Sequence, residues 1–495
     1  MTRYAIGVDV GGSSAKAGVY ALSGALVGAG STGYAPRQPT PGVAEYDADE
    51  LIAAAESSIR QALRQSGVRS RDIVAVCCDA MISGTVGLGA DGRPTTAYTT
   101  TLDTRFNTHL AQLLVHERDI RTEVGSGNPV VAAKIAWYRD SCPEVFERTS
   151  VFVLAGGLVG GSLAGLGPHE AFVDPSVLWA IGLSDTRTQS WSPRLLSTLD
   201  ITESALPTIV SCTSVIGAIT VEVAGRTGLR SGTPVVAGCG DQMAGFLGAD
   251  ALRPGVVGDS SGTFEVVGKA VSEFSPSDTG LFDVIPHPIE PGYVNQSVVA
   301  IGGGFTWDWF CTTVLGIDSS DRRGVEEIAS SAPVGSNGLL FLPHLGGQGA
   351  PSRPALRGGW LGLGWQHHRS HLTRSVLEAV AYEISDAVEA FGSPSVDATI
   401  VGYGGGVRNS ITPQIRADVA GIRFESLGDI TPTTAAAAFL GAVGIGDLDD
   451  IHGPIRSALP TPDIFTPDAH KNQEYQKIRD RYRRAIAAAA TLPEF

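Results

Sequence analysis

The sequence has few positive charges and no dense run of them. Its 495 residues include 36 Lys and Arg against 51 Asp and Glu, which gives a formal net charge of −15. Nucleic-acid binding draws its affinity from clustered cations that neutralise phosphates, so this balance argues against a nucleic-acid partner. Any nucleotide phosphates would have to be held mainly by backbone N–H groups and a metal ion.

Cysteine is also scarce, and long apolar runs are missing. The six cysteines form no C-x-x-C pair and no zinc-ligand spacing, which suits a reducing compartment. The uncharged stretch at 151–167 is rich in glycine and too short to span a bilayer, so it favours a strand and helix. The chain enters an apolar strand at Tyr4 with no signal peptide before it. We expect a cytoplasmic protein without membrane contact.

Two common nucleotide-binding signatures are absent or out of context. No G-x-x-x-x-G-K-[ST] run exists, which excludes a P-loop kinase. A G-x-G-x-x-G match at 87–92 is followed by Arg93 and Pro94 instead of a helix, so it predicts a hairpin turn and not a dinucleotide site.

The composition that remains is that of a turn-rich α/β protein with a large core. Hydrophobic residues make up 43% of the chain, and there are 62 glycines. The length alone suggests roughly three domains, and two large ones lie within the error of that prior.

One stretch places an acid at the tip of a tight bend. Residues 234–237 predict a short buried strand, and Gly238 and Gly240 then allow the backbone to turn and present Asp241. A carboxylate held there can accept a proton. Taken alone, Asp241 could equally be an acid that only forms the turn.

Two further glycine-rich turns resemble each other. The strand at 4–8 runs into an Asp-Val-Gly-Gly-Ser-Ser turn, and the strand at 256–257 runs into a Gly-Asp-Ser-Ser-Gly-Thr turn. The two turns match at the pairs Asp9/Asp259, Gly12/Gly262 and Ser13/Thr263. The chain therefore looks duplicated. Such turns can aim N–H groups and hydroxyls at phosphate oxygens, although Asp9 could instead accept backbone hydrogen bonds in an Asx-turn.

The order of these turns, followed by the Tyr-Gly-Gly-Gly-Val-Arg-Asn run at 403–409, resembles the FGGY carbohydrate kinases, which include xylulokinase, ribulokinase and glycerol kinase. The segment 127–137 looks like the first signature of that family, and the resemblance covers essentially the whole chain. It implies an α/β fold of two actin-like (ribonuclease H-like) domains flanking a deep cleft. We place a sugar-binding and catalytic domain at 1–248 and a nucleotide-binding domain at 249–495.

The resemblance also implies a site for ATP, Mg²⁺ and a sugar. Asp241 is the implied catalytic base, and Asp9 and Asp241 are the implied Mg²⁺ ligands. The implied sugar-binding residues are Met81, Asp103, Arg105, Asp241 and Gln242. The implied ATP-binding residues are Gly11, Gly12, Ser13, Ser14, Lys16, Ser261, Gly262, Thr263, Gly404, Gly405, Gly406 and Asn409.

The chain departs from the family pattern at several positions. Xylulokinases carry G-Q-M-H-G where this chain has Ala-Met-Ile-Ser at 80–83, and they carry a Trp in the segment that here precedes Asp103. Because unpaired polar groups make such pockets selective, we expect the set of bound hydroxyls to differ. Asp259 would put a negative charge near a triphosphate unless it points away. Asp174 lies between the predicted sugar-binding residues and the turn at 238–241, which we call the acid turn. It is predicted to pack or lie at the surface as readily as to bind substrate.

We therefore expect an ATP-dependent kinase that phosphorylates a hydroxyl of a small sugar or polyol, a ketopentose foremost. The alternatives are a polyol kinase acting on a tetritol, a pentitol or glycerol, a non-catalytic sugar or nucleotide sensor, and an actin- or chaperone-like ATPase. Expected partners are the sugar or polyol and ATP/ADP, and a homodimer stays open. The two domains are expected to close on the substrates and exclude water from the γ-phosphate.

Overall fold

Two mixed β-sheets form the frame of the molecule in a computed structural model that describes residues 2–262, 264–300, 303–353, 356–392 and 397–491. The first sheet has the spatial order β5-β6-β4-β1-β2-β3, with β1 (Tyr4–Val10), β2 (Ser14–Ala21), β3 (Leu26–Gly33), β4 (Ile73–Ala80), β5 (Val215–Ala218) and β6 (Pro234–Val236). The second has the order β9-β10-β8-β7-β11-β12-β13, with β7 (Val256–Ser261), β8 (Glu265–Val271), β9 (Asp283–Pro286), β10 (Tyr293–Ala300), β11 (Thr399–Tyr403), β12 (Arg423–Ser426) and β13 (Asp463–Phe465).

The two sheets repeat one connectivity, which confirms the predicted duplication. In the first sheet, β1 pairs antiparallel with β2 and parallel with β4, and β4 pairs parallel with β6. In the second sheet, β7 pairs antiparallel with β8 and parallel with β11, and β11 pairs parallel with β12. The turns that matched in sequence therefore occupy equivalent positions, each at the end of the first strand of its sheet.

Six helices account for most of the packing around the sheets: α1 (Ala48–Ser66), α2 (Asp241–Gly248), α3 (Arg369–Ala390), α4 (Ile411–Ala420), α5 (Thr433–Gly444) and α6 (Ala469–Ala489). The predicted face of α1 is buried through Leu51, Ala55 and Ile59. Its ends follow local chemistry, because the Asp47 carboxylate accepts the N–H groups of Asp49 and Glu50, and Gly67 ends the helix with a φ of 63°.

Smaller elements complete both halves of the chain, and many of them lie in the segment 107–232, which we call the insertion. Short strand pairs join Glu45–Tyr46 to Tyr98–Thr99, Val86–Leu88 to Val151–Val153, Phe172–Val173 to Thr208–Ile209, Ser184–Asp185 to Ser190–Trp191, and Leu340–Leu342 to Gly359–Leu361. Further helices span Asn107–Leu113, Glu117–Val124, Val130–Ser141, Pro143–Arg148, Ala155–Ala164, Leu178–Ile181, Pro193–Thr198, Val221–Thr227, Gly303–Trp309, Arg322–Ser330 and His452–Ala458.

Helix α5 belongs to the second half of the sequence but packs on the first sheet. It lies against β1 and β4, and a methyl group at Gly7 would come within 1.9 Å of the Thr434 carbonyl oxygen. In turn, the Phe246 ring of α2 lies over Gly258 and Gly268 of the second sheet, where a methyl group would approach it to 2.5 and 2.4 Å. The domain division at 248/249 stays a prediction. Helices α2 and α5 each pack on the sheet of the other half.

Across the described ranges, no helix combines the length and the apolar character needed to cross a bilayer. The G-x-G-x-x-G match at 87–92 lies on a turn, as predicted, since the Gly89 N–H donates to the Arg93 carbonyl at 2.9 Å.

Candidate active site

Two carboxylates stand side by side at the ends of neighbouring parallel strands. Asp9 of β1 and Asp79 of β4 are direct partners in the strand register, and both are buried. The end of β4 also lies beside the acid turn, since the Ala80 N–H donates to the Cys239 carbonyl at 3.3 Å. Asp241 follows two residues later as the first residue of α2. The fold thus gathers three acids at one edge of the first sheet.

The acid turn has the tight geometry that its glycines predicted. Gly238 has a φ of 80°, and a methyl group there would lie 1.8 Å from the Cys78 carbonyl oxygen. Only glycine meets both conditions. The Asp241 carboxylate accepts the N–H of Gln242 at 2.7 Å, so one of its oxygens is oriented by the backbone of its own helix.

Burial makes all three carboxyl groups reluctant to ionise, and repulsion between the acids adds to this effect at Asp79 and Asp241. Burial, with the nearby negative charges of Asp9 and Asp241, raises the pKa of Asp79 well above its ordinary value. Burial also raises the pKa of Asp9, and Lys16, whose Nζ lies 3.9 Å from an Asp9 oxygen, opposes that shift. Burial and the charge of Asp9 raise the pKa of Asp241 to about 7. A carboxyl group in that range can exchange a proton at neutral pH.

Asp79 was not among the predicted site residues. The sequence predicts that the strand ends at Cys78 and places Asp79 in the loop after it, whereas the strand continues to Ala80. Within the described part of the chain, neither carboxylate oxygen of Asp79 has a hydrogen-bond partner. The sequence does contain a signal for Asp79, because Asp9 and Asp79 each follow an apolar strand of similar length. If those strands are parallel neighbours, the two acids lie side by side.

The turn after β1 is fixed by tyrosines that also surround Asp241. The hydroxyl of Tyr34 donates to the Gly11 carbonyl at 2.5 Å, and that of Tyr46 donates to the Gly12 carbonyl. Tyr34 and Tyr98 both have a pKa raised by burial first, and the charge of Asp241 adds to the shift. The predicted phosphate-binding residues Gly11, Gly12, Ser13, Ser14 and Lys16 therefore lie at the same edge as the acids.

The predicted sugar-binding pair is an ion pair that is mostly satisfied within the protein. The Arg105 Nη2 lies 2.5 Å from an Asp103 oxygen and 2.7 Å from a Glu45 oxygen. Asp103 is buried and also accepts the Ala44 N–H at 3.2 Å, while the guanidinium lies 4.9 Å from the centre of the Trp137 ring. Arg105 keeps a quarter of its side chain exposed.

The other predicted sugar residues, Met81 and Gln242, follow closely after Asp79 and Asp241 in the sequence. The Met81 carbonyl accepts the Tyr98 hydroxyl at 3.4 Å, and the Nε2 of Gln242 is buried with no acceptor in the described residues. Lys134 was missed. It donates to the carbonyls of Ser83 at 2.6 Å and Thr100 at 2.8 Å, and burial lowers its pKa to about 7.

A cavity of about 230 Å³ in the second half brings together five of the seven ATP-binding residues predicted in that half. Its lining includes Ser261, Gly262, Gly405, Gly406 and Asn409, together with Trp307, Leu377, Val380 and Arg416. Gly404 has a φ of 99°, and methyl groups at Gly404 and Gly406 would overlap Ser261, so the two predicted loops touch. Thr263 lies outside the described residues.

Asn409 lies both at the start of α4 and beside the cavity. Its side-chain oxygen accepts the N–H of Thr412 at 2.8 Å in the first turn of α4, and the residue also lines the cavity. The nucleotide loops contact the helix of the acid turn through Tyr403, because a methyl group at Gly245 of α2 would lie 2.5 Å from the Tyr403 hydroxyl. Gly245 is one helical turn beyond Asp241, a rise of about 6 Å.

Asp259 points away from the cavity. It is fully buried, and its Oδ2 lies 2.5 Å from the Nη1 of Arg416. The same nitrogen lies 2.8 Å from Glu265, and Nη2 of Arg416 donates to the Ser261 hydroxyl at 3.0 Å. The negative charge that the sequence placed near the phosphates is therefore neutralised inside the second sheet.

Two family models match this chain, and solved structures share its fold. The models are the N-terminal domain of the FGGY family of carbohydrate kinases, over residues 4–248, and the C-terminal domain of that family, over residues 260–446. Similar structures include a ligand-bound xylulose kinase from Lactobacillus acidophilus, with a TM-score of 0.90 at 23% identity over 99% of each chain, and Plasmodium falciparum glycerol kinase with ADP, with a TM-score of 0.86 at 18% identity over 98% of each chain.

Curated relatives span nearly the full length of the chain. The xylulose kinase of Bacillus subtilis is 25% identical over 97% of this chain and 96% of its own length. The L-xylulose/3-keto-L-gulonate kinase of Escherichia coli is 29% identical over 99% and 97%. The predicted fold of two actin-like domains is confirmed, and the chain belongs to the FGGY family of ATP-dependent carbohydrate kinases.

Proposed function

We propose that the protein transfers the γ-phosphoryl group of ATP to a hydroxyl of a neutral ketose, a ketopentose foremost, with Asp241 as the general base. The observation that supports this most is the environment of Asp241, whose pKa is raised to about 7 at the tip of a glycine turn beside Asp9 and Asp79. A base with a pKa near the working pH combines ionisation with the ability to hold a proton.

Phosphoryl transfer demands little covalent chemistry from the protein, because its transition state is loose. Asp241 would accept the proton of the attacking hydroxyl, since it keeps some solvent access while Asp9 and Asp79 are buried. The loops Gly11–Ser14 and Ser261–Gly262 would direct N–H and hydroxyl donors at the phosphates from opposite halves. The cavity lined by Gly405, Gly406 and Asn409 would hold the adenosine part of ATP.

The acids at the first sheet's edge fit a Mg²⁺ ion. The donor set is made of carboxylate oxygens, which Mg²⁺ prefers, and a bound cation would offset the repulsion between these acids that raises the pKa of Asp79. In the described residues, no three acidic, His or Cys side chains converge into a complete metal cage, which suits an ion that keeps several waters. Asp9 and Asp241 would hold the ion, and when bound it supplies positive charge to the phosphates.

The charges around the acids favour an uncharged sugar. Lys16 faces Asp9, Arg105 is paired with both Asp103 and Glu45, and Lys134 donates to two carbonyls and loses its charge near neutral pH. A substrate carboxylate at this edge would thus meet three acids, while Lys16, Arg105 and Lys134 already have partners within the protein. The charge argument therefore favours a sugar of the kind named for the xylulose kinases over the acid named for the gluconokinase of Bacillus licheniformis, which is 23% identical.

A coupled ADP-release assay tests the proposal against ketopentoses, ketohexoses, tetritols, pentitols, glycerol and gluconate. We expect turnover to be highest with a ketopentose and absent with gluconate. Asp241→Ala should lower kcat about 10²- to 10⁴-fold. Because the base must be ionised, kcat/KM should fall as the pH drops below about 7.

The matched control is Asp185→Ala, which removes a carboxylate of the same half that pairs with Arg187 at 3.3 Å. It should leave turnover unchanged. Highest turnover with a polyol would favour the polyol-kinase alternative. Sugar binding without ADP release would instead indicate a sensor, and gluconate turnover would contradict the charge argument.

A further inference from the structure

A hydrogen-bonded relay connects the 107–232 insertion to the turn that presents Asp241. The Gly240 N–H donates to the Ser176 hydroxyl oxygen at 2.9 Å. The Ser176 hydroxyl donates in turn to the Asp174 carboxylate at 2.5 Å, and the same oxygen accepts the Ser176 N–H at 2.9 Å. Since a serine hydroxyl has one proton and Asp174 receives it, the lone pairs of Ser176 are left to accept from Gly240.

The relay is buried and tightly packed. Ser176 is fully buried and Asp174 nearly so. A methyl group at Gly240 would lie 2.7 Å from Ile82 and 2.9 Å from Val177, the residue after Ser176, so the turn is packed directly against the relay. A buried N–H that loses its acceptor costs about 1–3 kcal/mol, and a shift of the turn is the way to relieve that cost.

Asp174 also fixes a second contact to the turn. The Cys212 thiol donates to the same Asp174 oxygen at 3.6 Å, and the Cys212 carbonyl accepts the Gly238 N–H at 2.9 Å. The backbone N–H groups on both sides of Cys239 are thus held by residues that converge on one carboxylate. From the sequence, Asp174 is predicted to pack or lie at the surface as readily as to bind substrate, and in the structure it contacts the acid turn through Ser176 and Cys212.

We infer that Asp174 and Ser176 are positioning residues that set the orientation of Asp241 for proton transfer. This inference rests on the proposed role of Asp241 as base. Neither residue contacts substrate in this scheme, so they act on the rate of the chemical step and not on sugar affinity. A misplacement of about 1 Å at a reacting group can cost about 100-fold in rate.

The test measures kcat and the sugar KM for four variants in the full-length protein. Ser176→Ala should lower kcat about 10- to 100-fold and leave KM within about twofold. Ser176→Cys keeps the volume but is a weak acceptor and should show the same loss, which covers the case in which the alanine variant does not fold. Asp174→Asn keeps an acceptor oxygen for Ser176 and should lose much less kcat than Asp174→Ala.

Ser184→Ala is the matched control. Ser184 is equally buried in the same insertion, and its hydroxyl has no hydrogen-bond partner within the described ranges. This variant should keep the wild-type kcat. Melting temperatures of all the variants, compared with wild type, separate a loss of folded protein from a loss of rate.

A double-mutant cycle distinguishes the relay from general structural damage. In an Asp241→Ala background, Ser176→Ala should cause no further loss of kcat, because the group that it positions is gone. The same fold loss in both backgrounds, or a change in KM alone, would overturn the inference. If Asp241→Ala itself keeps full activity, the proposed function fails first, whatever the Ser176 variants do.

Discussion

The same position in the two sheets carries an acid, and the two acids have opposite surroundings. Asp9 ends β1 beside Asp79 and near Asp241, and the nearest cation, Lys16, stays 3.9 Å away and partly exposed. Asp259 in β7 aligns with Gly402 in the register where Asp9 aligns with Asp79, and it forms a close ion pair with the buried Arg416. A duplicated scaffold therefore holds one carboxylate whose cation is 3.9 Å away and partly exposed, and one whose cation is close and buried.

The difference separates a chemical role from a structural one. A carboxylate whose nearest cation is partly exposed can still attract a metal ion or a proton, so the edge with Asp9 suits a metal ion and a base. Asp259 is instead bound by the buried Arg416, and Asp259, Glu265 and Arg416 together connect β7, β8 and α4. Three experiments test this contrast.

The largest effect is expected from Arg416→Ala, which leaves Asp259 and Glu265 buried without their cation. The free energy of unfolding should fall by about 3–5 kcal/mol, as it does when one partner of a buried pair is removed. Urea denaturation measures this loss. Arg408→Ala is the control, because Arg408 pairs with Asp429 at the exposed surface, and it should cost less than about 1 kcal/mol. Equal losses in both variants would contradict a structural role for the buried pair.

Exchanging each acid for its amide tests the contrast directly. Asp9→Asn should lower kcat about 10²- to 10³-fold without lowering stability, since burial already disfavours the charged form of Asp9 in the folded protein. Asp259→Asn should lower the free energy of unfolding by about 1–3 kcal/mol and keep kcat within a few-fold. Steady-state kinetics and urea denaturation of both variants give the four numbers. The roles are wrong if the two variants show the same pattern.

A smaller effect follows from the raised pKa of Asp79. The folded protein binds a proton at Asp79 more tightly than the unfolded chain does, so the free energy of unfolding falls as the pH rises above the ordinary carboxyl value. Asp79→Asn removes this titrating group, so the free energy of unfolding should decrease less steeply with pH. Relative to wild type, the variant should be about 1–2 kcal/mol more stable at pH 8 than it is at pH 5. Denaturation curves at several pH values check it. An unchanged slope would mean that the charge of Asp79 is compensated after all.

Sequence reasoning succeeded where backbone geometry alone sets the residue. Gly238 has a positive φ, and the turn that it predicts lies where expected, directly before Asp241. The duplicated strand order was also predictable, because matching turns followed matching apolar strands. The family resemblance then supplied the roles of the turns, which still await test.

Contacts between distant segments were not predictable from one sequence. The partner of Asp259 is Arg416, 157 residues away, and no local pattern links them. Asp79 was missed because its strand was predicted two residues too short. Asp174 reaches the acid turn through Ser176, which lies 64 residues before its partner Gly240 in the sequence. In each case the partner of the side chain is set by tertiary packing, which secondary-structure propensity and hydrophobic periodicity do not predict.

The position of α5 has a consequence for how the chain is made. Ala435, Ala436 and Ala437 share a core with Ala5 and Cys77, so a ribosome must synthesise more than 430 residues before the first sheet can be covered on that side. Until then, apolar strand surface near the amino terminus stays accessible to chaperones and to other nascent chains. An isolated fragment that ends at residue 248 would keep this surface bare permanently and should be prone to aggregate.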